Sequence, residues 1–252
     1  MIPYFAFQEI NFGLATVQVW GFAASIGFLL ALFVSVREGK KRGIGEDQIW
    51  DVMILALLGM IVGSKLLYLL SSQSWEEIFS ASGFSFLGGV ATAAILCYIY
   101  AVRRKINIWE LADSLTLGVI VALIAIRIGC FLVYDHIGKI TSWPWGMEYV
   151  DGTVRHPVSL YLVVKAVAAF GIISYFGKKN LRAGTLFLIF ALYYSISRFL
   201  IDFTRCDDFV YCDQRYLGLT YTQWILLASL PFVCFAIYKK AQHETRNMKL
   251  KT

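Results

Sequence analysis

Four cations sit inside hydrophobic runs of this chain: Lys65, Arg127, Lys165 and Arg198. A charge at the centre of a membrane helix costs roughly 2.5–3.5 kcal/mol on insertion scales, so it is retained for a task. Arg127 opens the stretch R-I-G-C-F-L-V-Y-D-H-I-G at 127–138, which places a guanidinium inside the apolar run and Asp135 and His136 at its end. Arg198, Asp202 and Arg205 are spaced i, i+4, i+7 and share one helix face. A guanidinium is a planar fork that offers a phosphate two parallel hydrogen bonds, most strongly in a site of low dielectric. His136 and His156 both lie in one long loop, each beside a charged residue (Asp135 and Arg155), an arrangement that suits proton handling near the arginines. The predicted chemistry is therefore recognition of a phosphate-bearing anion with a proton acceptor at hand.

Each residue also has a plainer reading. Lys65 and Lys165 either join the anion site or snorkel to the interface. Arg205 alone fits a solvated ion pair, whereas Arg198, flanked by Tyr193, Tyr194, Phe199 and Leu200, predicts a polar cavity among helices. An interfacial histidine is equally often a surface residue, and His243 in the basic tail is read as inert. Cys206 and Cys212 suit either a disulfide staple or two free thiols. Metal-ligand spacing of the H-x-x-E-H or paired-cysteine kind is absent from the sequence.

Composition says what must position these groups. The chain has 252 residues, 58% of them hydrophobic, and a mean hydropathy of +0.64. Soluble domains are closer to half apolar, so the excess predicts an all-α polytopic membrane protein, the class in which each span satisfies its own backbone. Seven segments approach the ~20 residues needed to cross a bilayer, at 17–36, 52–70, 86–102, 114–134, 158–176, 183–203 and 221–238. A polar-aromatic lead-in, read as an interfacial helix, precedes them, and no basic leader marks a cleavable signal peptide. Residues 1–252 are read as a single seven-helix domain. The glycines at 59–63 and 88–89 suit close approach of neighbouring helices.

The net charge of +6 is dispersed over short loops and forms no stripe of the kind nucleic acid needs. Loops at 37–50, 101–112 and 177–182 and the tail from 239 hold 15 of the 23 Lys and Arg, and the three alternate loops hold 4. The positive-inside rule then predicts an external N-terminus and an internal C-terminus, with the four buried cations in the outer half of their helices.

In order along the chain, these motifs resemble the prolipoprotein diacylglyceryl transferase family. Residues 19–31 (V-W-G-F-A-A-S-I-G-F-L-L-A) resemble its first span, and 63–68 its second, with a basic residue where Lys65 stands. Residues 82–89 (S-G-F-S-F-L-G-G) resemble its S-F-H-G-G stretch, and 127–138 its signature R-I-G-N-F-x-N-G-E-x-x-G. H-P-V-S-L-Y at 156–161 resembles H-P-x-Q-L-Y-E, R-F-L-I-D-F-T-R at 198–205 resembles R-F-x-x-E-F-x-R, and 218–223 resembles the lead into the last span.

The resemblance implies transfer of a diacylglyceryl group from phosphatidylglycerol to the lipobox cysteine thiol of a prolipoprotein. A thioether forms and glycerol phosphate is released, without a cofactor, at the outer leaflet of the bacterial inner membrane. It implies a phosphate clamp of Arg127 and Arg198; with the residues read above, Asp135 and His136 are the further catalytic candidates, and Lys65, Gly138, His156, Tyr161, Asp202 and Arg205 the candidate substrate contacts. The sequence departs from the family at telling places. The histidine of S-F-H-G-G is Leu87, the two signature asparagines are Cys130 and Val133, and the glutamate is Asp135; Trp20 replaces a tyrosine and Leu162 a glutamate. The arginine pair is kept, so the anion site is expected intact and the thiol-activating chemistry rearranged or lost; His136, oriented by Asp135, is the first choice of base and His156 the second. Two rivals stay open: a lipid-modifying transferase with another acceptor, and a non-catalytic protein that binds anionic lipid.

Overall fold

The computed structural model describes residues 1–11, 13, 16–72, 85–179, 181–209 and 212–249, with side chains through 240 and at 242. Seven helices are long and apolar enough to cross a membrane. They are α1 (Val19–Lys41), α2 (Glu46–Ser72), α3 (Phe86–Arg103), α4 (Ile108–Leu132), α5 (Val158–Gly177), α6 (Thr185–Ile201) and α7 (Tyr221–Lys249). The starts of α3, α5 and α7 coincide with the expected ones. Two helices begin earlier than hydropathy suggests, because polar caps extend them beyond their apolar stretch. Asn107 Oδ1 accepts the amide of Trp109 at the start of α4, and Gln48 Oε1 accepts the amide of Gly45 ahead of α2.

The chain forms two compact units, residues 32–115 and residues 1–31 with 116–252. In the first, Ile44, Ile49, Val52, Ala101 and Leu111 make the buried core. The glycines at 59–63 and 88–89 do pack helix on helix: a methyl group added at Gly59 would strike the backbone of Ala93, and one at Gly88 the backbone of Gly63. Small residues spaced four apart let α2 and α3 approach this closely. Lys65 and Leu87 both belong to this unit, and Leu87 is 36% exposed.

In the second unit, Ile120, Ala169, Ile173 and Leu186 form a core between α4, α5 and α6. The lead-in is not a helix. It forms an antiparallel hairpin, β1 (Glu9–Asn11) with β2 (Thr16–Gln18); Val17 and Thr16 are β-branched, and Gly13 turns at φ 86°. Two further hairpins follow in the loops, β3 (Met147–Glu148) with β4 (Val154–Arg155), and β5 (Arg215–Tyr216) with β6 (Leu219–Thr220).

The extended segment 137–141 stitches the loops together. Lys139 N donates to Thr204 O and Cys206 N to Ile137 O on one side, and His156 N donates to Lys139 O and Thr141 N to Val154 O on the other. Cys206 and Cys212 are joined as a disulfide. Arg155, buried, reaches across to both carboxylate oxygens of Asp208 at 3.0 and 2.6 Å and to Gly138 O at 3.1 Å. Backbone ladders of this kind hold the ends of α4, α5 and α6 in one register.

Candidate active site

The end of α4 sets the position of the first reactive group. Tyr134 takes a left-handed conformation, φ 61°, Tyr134 N donates to Phe131 O, and Asp135 N donates back to Cys130 O. This is a Schellman stop, which favours glycine at the left-handed position. Glycine stands there in the family signature; the tyrosine is held in it by an edge-on contact with Tyr4, a tilted contact with Tyr149 and its hydroxyl, which donates to Glu148 O. His136 is also left-handed, φ 65°. Two left-handed residues flanking Asp135 turn the chain back on α4, and strain of this kind gathers at functional sites.

The reversal brings His136 onto Arg127, nine residues earlier. Arg127 Nη1 donates to His136 Nε2 at 2.5 Å and lies 3.7 Å from Cys130 Sγ. Asp135 Oδ1 accepts the His136 amide at 2.7 Å, and Ser159 on α5 donates to Asp135 O. A ring nitrogen that accepts from a guanidinium must carry its lone pair, so His136 is neutral with its proton on Nδ1. Burial, and the charges of Arg127, Arg205 and Arg198, outweigh Asp135 and push its pKa down to about 4.

A pH dependence of stability follows. Between pH 6.5 and 4 the unfolded chain takes up a proton at His136 that the folded protein refuses. Stability contributed by this group is therefore complete above pH 6.5 and declines as pH falls toward 4. Thermal unfolding of the purified protein across that window is expected to show this slope, and His136→Gln to flatten it.

The second reactive group lies on α6. Arg198 Nη2 pairs with Asp202 Oδ1 at 3.0 Å, and Asp202 is 0% exposed. Thr220 donates its hydroxyl to Asp202 Oδ2 at 3.3 Å while accepting the amide of Gln223 at 3.2 Å; Gln223 Oε1 accepts the amide of Thr220 at 2.8 Å. That reciprocal capping box starts α7, so one buried carboxylate links the end of α6 to the start of α7. Arg205 pairs with Asp213 at 2.8 Å, as expected for a more exposed arginine.

Two cavities adjoin these groups. One is lined by Asp135, His136, Gly138, Arg155 and His156 among others. The other is lined by Arg127, Lys165, Tyr193 and Tyr194 over apolar walls. The Arg127–His136 hydrogen bond thus runs between residues of the two. His156 Nδ1 is 3.0 Å from the Tyr161 hydroxyl, which also accepts from Trp145 Nε1 at 3.0 Å. Burial holds the His156 pKa below the usual histidine range.

The structure therefore assembles Arg127, Asp135 and His136 in one cluster, Arg198 with Asp202 in a second, and Gly138, His156 and Tyr161 in a third. Lys65 lies in the other compact unit. Lys165 does not snorkel: it is 7% exposed, with its ammonium 3.6 Å from the Tyr194 ring centroid. Its spacing i, i+4 from Tyr161 was the available signal that it shares the inward face of α5. Cys130, Asp135 and His136 also approach closely enough to ligate a cation. The guanidinium of Arg127 already sits against two of those three ligand atoms, and a metal ion there would meet a fixed positive charge.

A sequence model of the family described as prolipoprotein diacylglyceryl transferase matches residues 8–239. The chain belongs to that family. Proteins named phosphatidylglycerol–prolipoprotein diacylglyceryl transferase resemble it along most of their length. That of Aliarcobacter butzleri (strain RM4018) is 27% identical over 263 residues, covering 93% of this chain and 94% of the relative. The Streptococcus pneumoniae (strain Hungary19A-6) protein is 26% identical over 232 residues, covering 86% and 87%. The Clostridium tetani (strain Massachusetts / E88) protein is 27% identical over 214 residues, covering 79% and 86%. Within this family the chain is a member with Leu87 where the resemblance led one to look for a histidine, and leucine has no atom that accepts a proton.

Proposed function

We propose that this chain transfers the diacylglyceryl group of phosphatidylglycerol to the lipobox cysteine thiol of a prolipoprotein. The whole chain serves as one functional domain in the bacterial inner membrane, N-terminus outside and C-terminus inside, with the reacting groups at outer-leaflet depth. The observation that carries the reading is the placement of Arg127: its guanidinium lines an apolar-walled cavity and donates to a neutral histidine at once.

The reaction forms a bond between the thiol sulfur and the glyceryl carbon and breaks the bond from that carbon to a phosphate oxygen. The electron pair leaves with the phosphate as glycerol phosphate, and the thiol proton passes to a base. Arg127 and Arg198 stabilise charge that grows on the departing phosphate. His136 takes the proton. In the resting site Arg127 occupies the Nε2 lone pair and keeps the ring a poor base. A phosphate that claims the guanidinium both frees that lone pair and cancels the charge that weakens it, so substrate binding itself arms the base. Asp135 fixes the backbone of His136 through its amide, and Gly138, His156, Tyr161, Asp202 and Arg205 shape or steer the substrates.

Replacing His136 by glutamine is expected to lower the rate of thioether formation about 10²–10⁴-fold, with phosphatidylglycerol binding retained. Full activity in that variant contradicts the assignment. The changed residues Leu87 and Cys130 favour one competing reading, a transferase with a different acceptor, and the mass of the product separates the two.

A further inference from the structure

Lys165 Nζ and Arg198 Nη1 are among the buried side-chain atoms that find no hydrogen-bond partner among the described residues. Buried polar atoms are nearly always paired, so each orphan demands an explanation. Lys165 lies on α5 and lines the same cavity as Arg127, and Arg127, Arg198 and Asp202 are the charged groups that act on it. The position is fixed from both neighbours. Tyr194 places its ring face against the ammonium, and Tyr193 donates its hydroxyl to the Lys165 carbonyl at 2.9 Å. Three cations with one carboxylate, itself engaged by Arg198, leave two positive charges in excess.

That excess mismatches the substrate and matches the product. A phosphodiester headgroup carries one negative charge. When its carbon–oxygen bond breaks, the electron pair stays on the phosphate and a second charge appears, giving a monoester dianion. Groups that meet charge only as it develops accelerate the chemical step, while groups that meet it in the ground state only tighten binding. The geometry points to Lys165 as the residue that receives the second negative charge of the departing phosphate monoester. This rests on the transferase reading given above. Arg127 and Arg198 hold the charge already present on the diester and meet part of its growth, and Lys165 adds the further positive charge that the dianion needs.

The test uses the full-length protein in phosphatidylglycerol-containing detergent with a lipobox peptide, comparing Lys165→Met and Lys165→Arg with wild type. Methionine preserves length and removes charge; arginine restores charge. The expected result is a kcat on the order of 10²-fold lower in Lys165→Met, with KM for phosphatidylglycerol nearly unchanged and substantial recovery in Lys165→Arg. An unchanged kcat, or a loss confined to KM, overturns the proposal.

A second arm needs no turnover. Thermal unfolding is followed with glycerol phosphate, inorganic phosphate or dimethyl phosphate at a pH where the first two are dianions. Both dianions are expected to stabilise wild type above the monoanionic diester, glycerol phosphate at the lower concentration, and Lys165→Met to lose that difference. Dianion protection that persists in Lys165→Met overturns the assignment. If wild type transfers nothing yet binds dianions through Lys165, the transferase reading fails and the dianion site stands.

Discussion

Replacing Arg127 by alanine is expected to lower diacylglyceryl transfer at least ~10³-fold, the largest loss from a single side chain in this protein. The magnitude comes from two roles on one group. Arg127 lines an apolar-walled cavity, and in the proposed reaction it supplies donors to the phosphate there, where a hydrogen bond to a growing charge is worth far more than in water. It also holds the Nε2 atom of His136, so its loss leaves the ring basic but no longer fixed in place. Lysine at this position keeps the charge but not the planar fork, and Arg127→Lys is expected to recover only a small part of the rate. Steady-state rates with a lipobox peptide measure both. A variant in which Arg127→Lys matches wild type shows that charge alone suffices and that the fork does no chemistry.

Asp202→Ala is expected to cost about 3–5 kcal/mol of stability, the largest loss for any single surface-neutral truncation outside the cores. The carboxylate is fully buried and pairs with Arg198, which is also buried. Removing it leaves a guanidinium without its counter-charge and deprives Thr220 of an acceptor at the capping box that starts α7. The pair itself adds little net stability, because desolvating two charges offsets most of their attraction. The double variant Arg198→Met with Asp202→Leu is therefore expected to regain most of the lost stability while remaining inactive. Unfolding of the purified proteins by heat or denaturant separates the three. Equal instability of the single and double variants contradicts this account of the pair.

Much of the fold was legible because helix formation in a membrane is governed by local rules. Hydropathy placed the starts of α3, α5 and α7, and the glycines at 59–63 and 88–89 marked stretches suited to close helix approach, without saying which helices meet. Arg198 and Asp202 met as their spacing required, since i and i+4 are neighbours on any helix. Arg127, Asp135 and His136 met because a helix that ends at Leu132 has little room to send the next residues elsewhere. The rest depends on contacts distant in sequence. The pairing of Arg155 with Asp208 spans 53 residues, and the backbone ladder from 137–141 to 154–156 and 204–206 leaves no periodic trace. The lead-in was mistaken for a helix because its aromatic residues mimic an interfacial one, whereas its β-branched residues and a glycine turn decide for a hairpin. Lys165 was ambiguous for a related reason. A lysine in an apolar run reads alike whether its stem reaches outward or inward, and only the face of α5 packed against Tyr193 and Tyr194 distinguishes them.

The central claim is tested most directly by the mass of the acceptor. The purified protein is incubated with phosphatidylglycerol of defined acyl chains and a lipobox peptide, and the peptide is weighed while released glycerol phosphate is counted, with Arg127→Ala alongside. The account predicts a peptide heavier by one diacylglyceryl group, one glycerol phosphate released per peptide modified, and neither product in the variant. An unmodified peptide beside retained, Arg127-dependent binding of the lipid contradicts it.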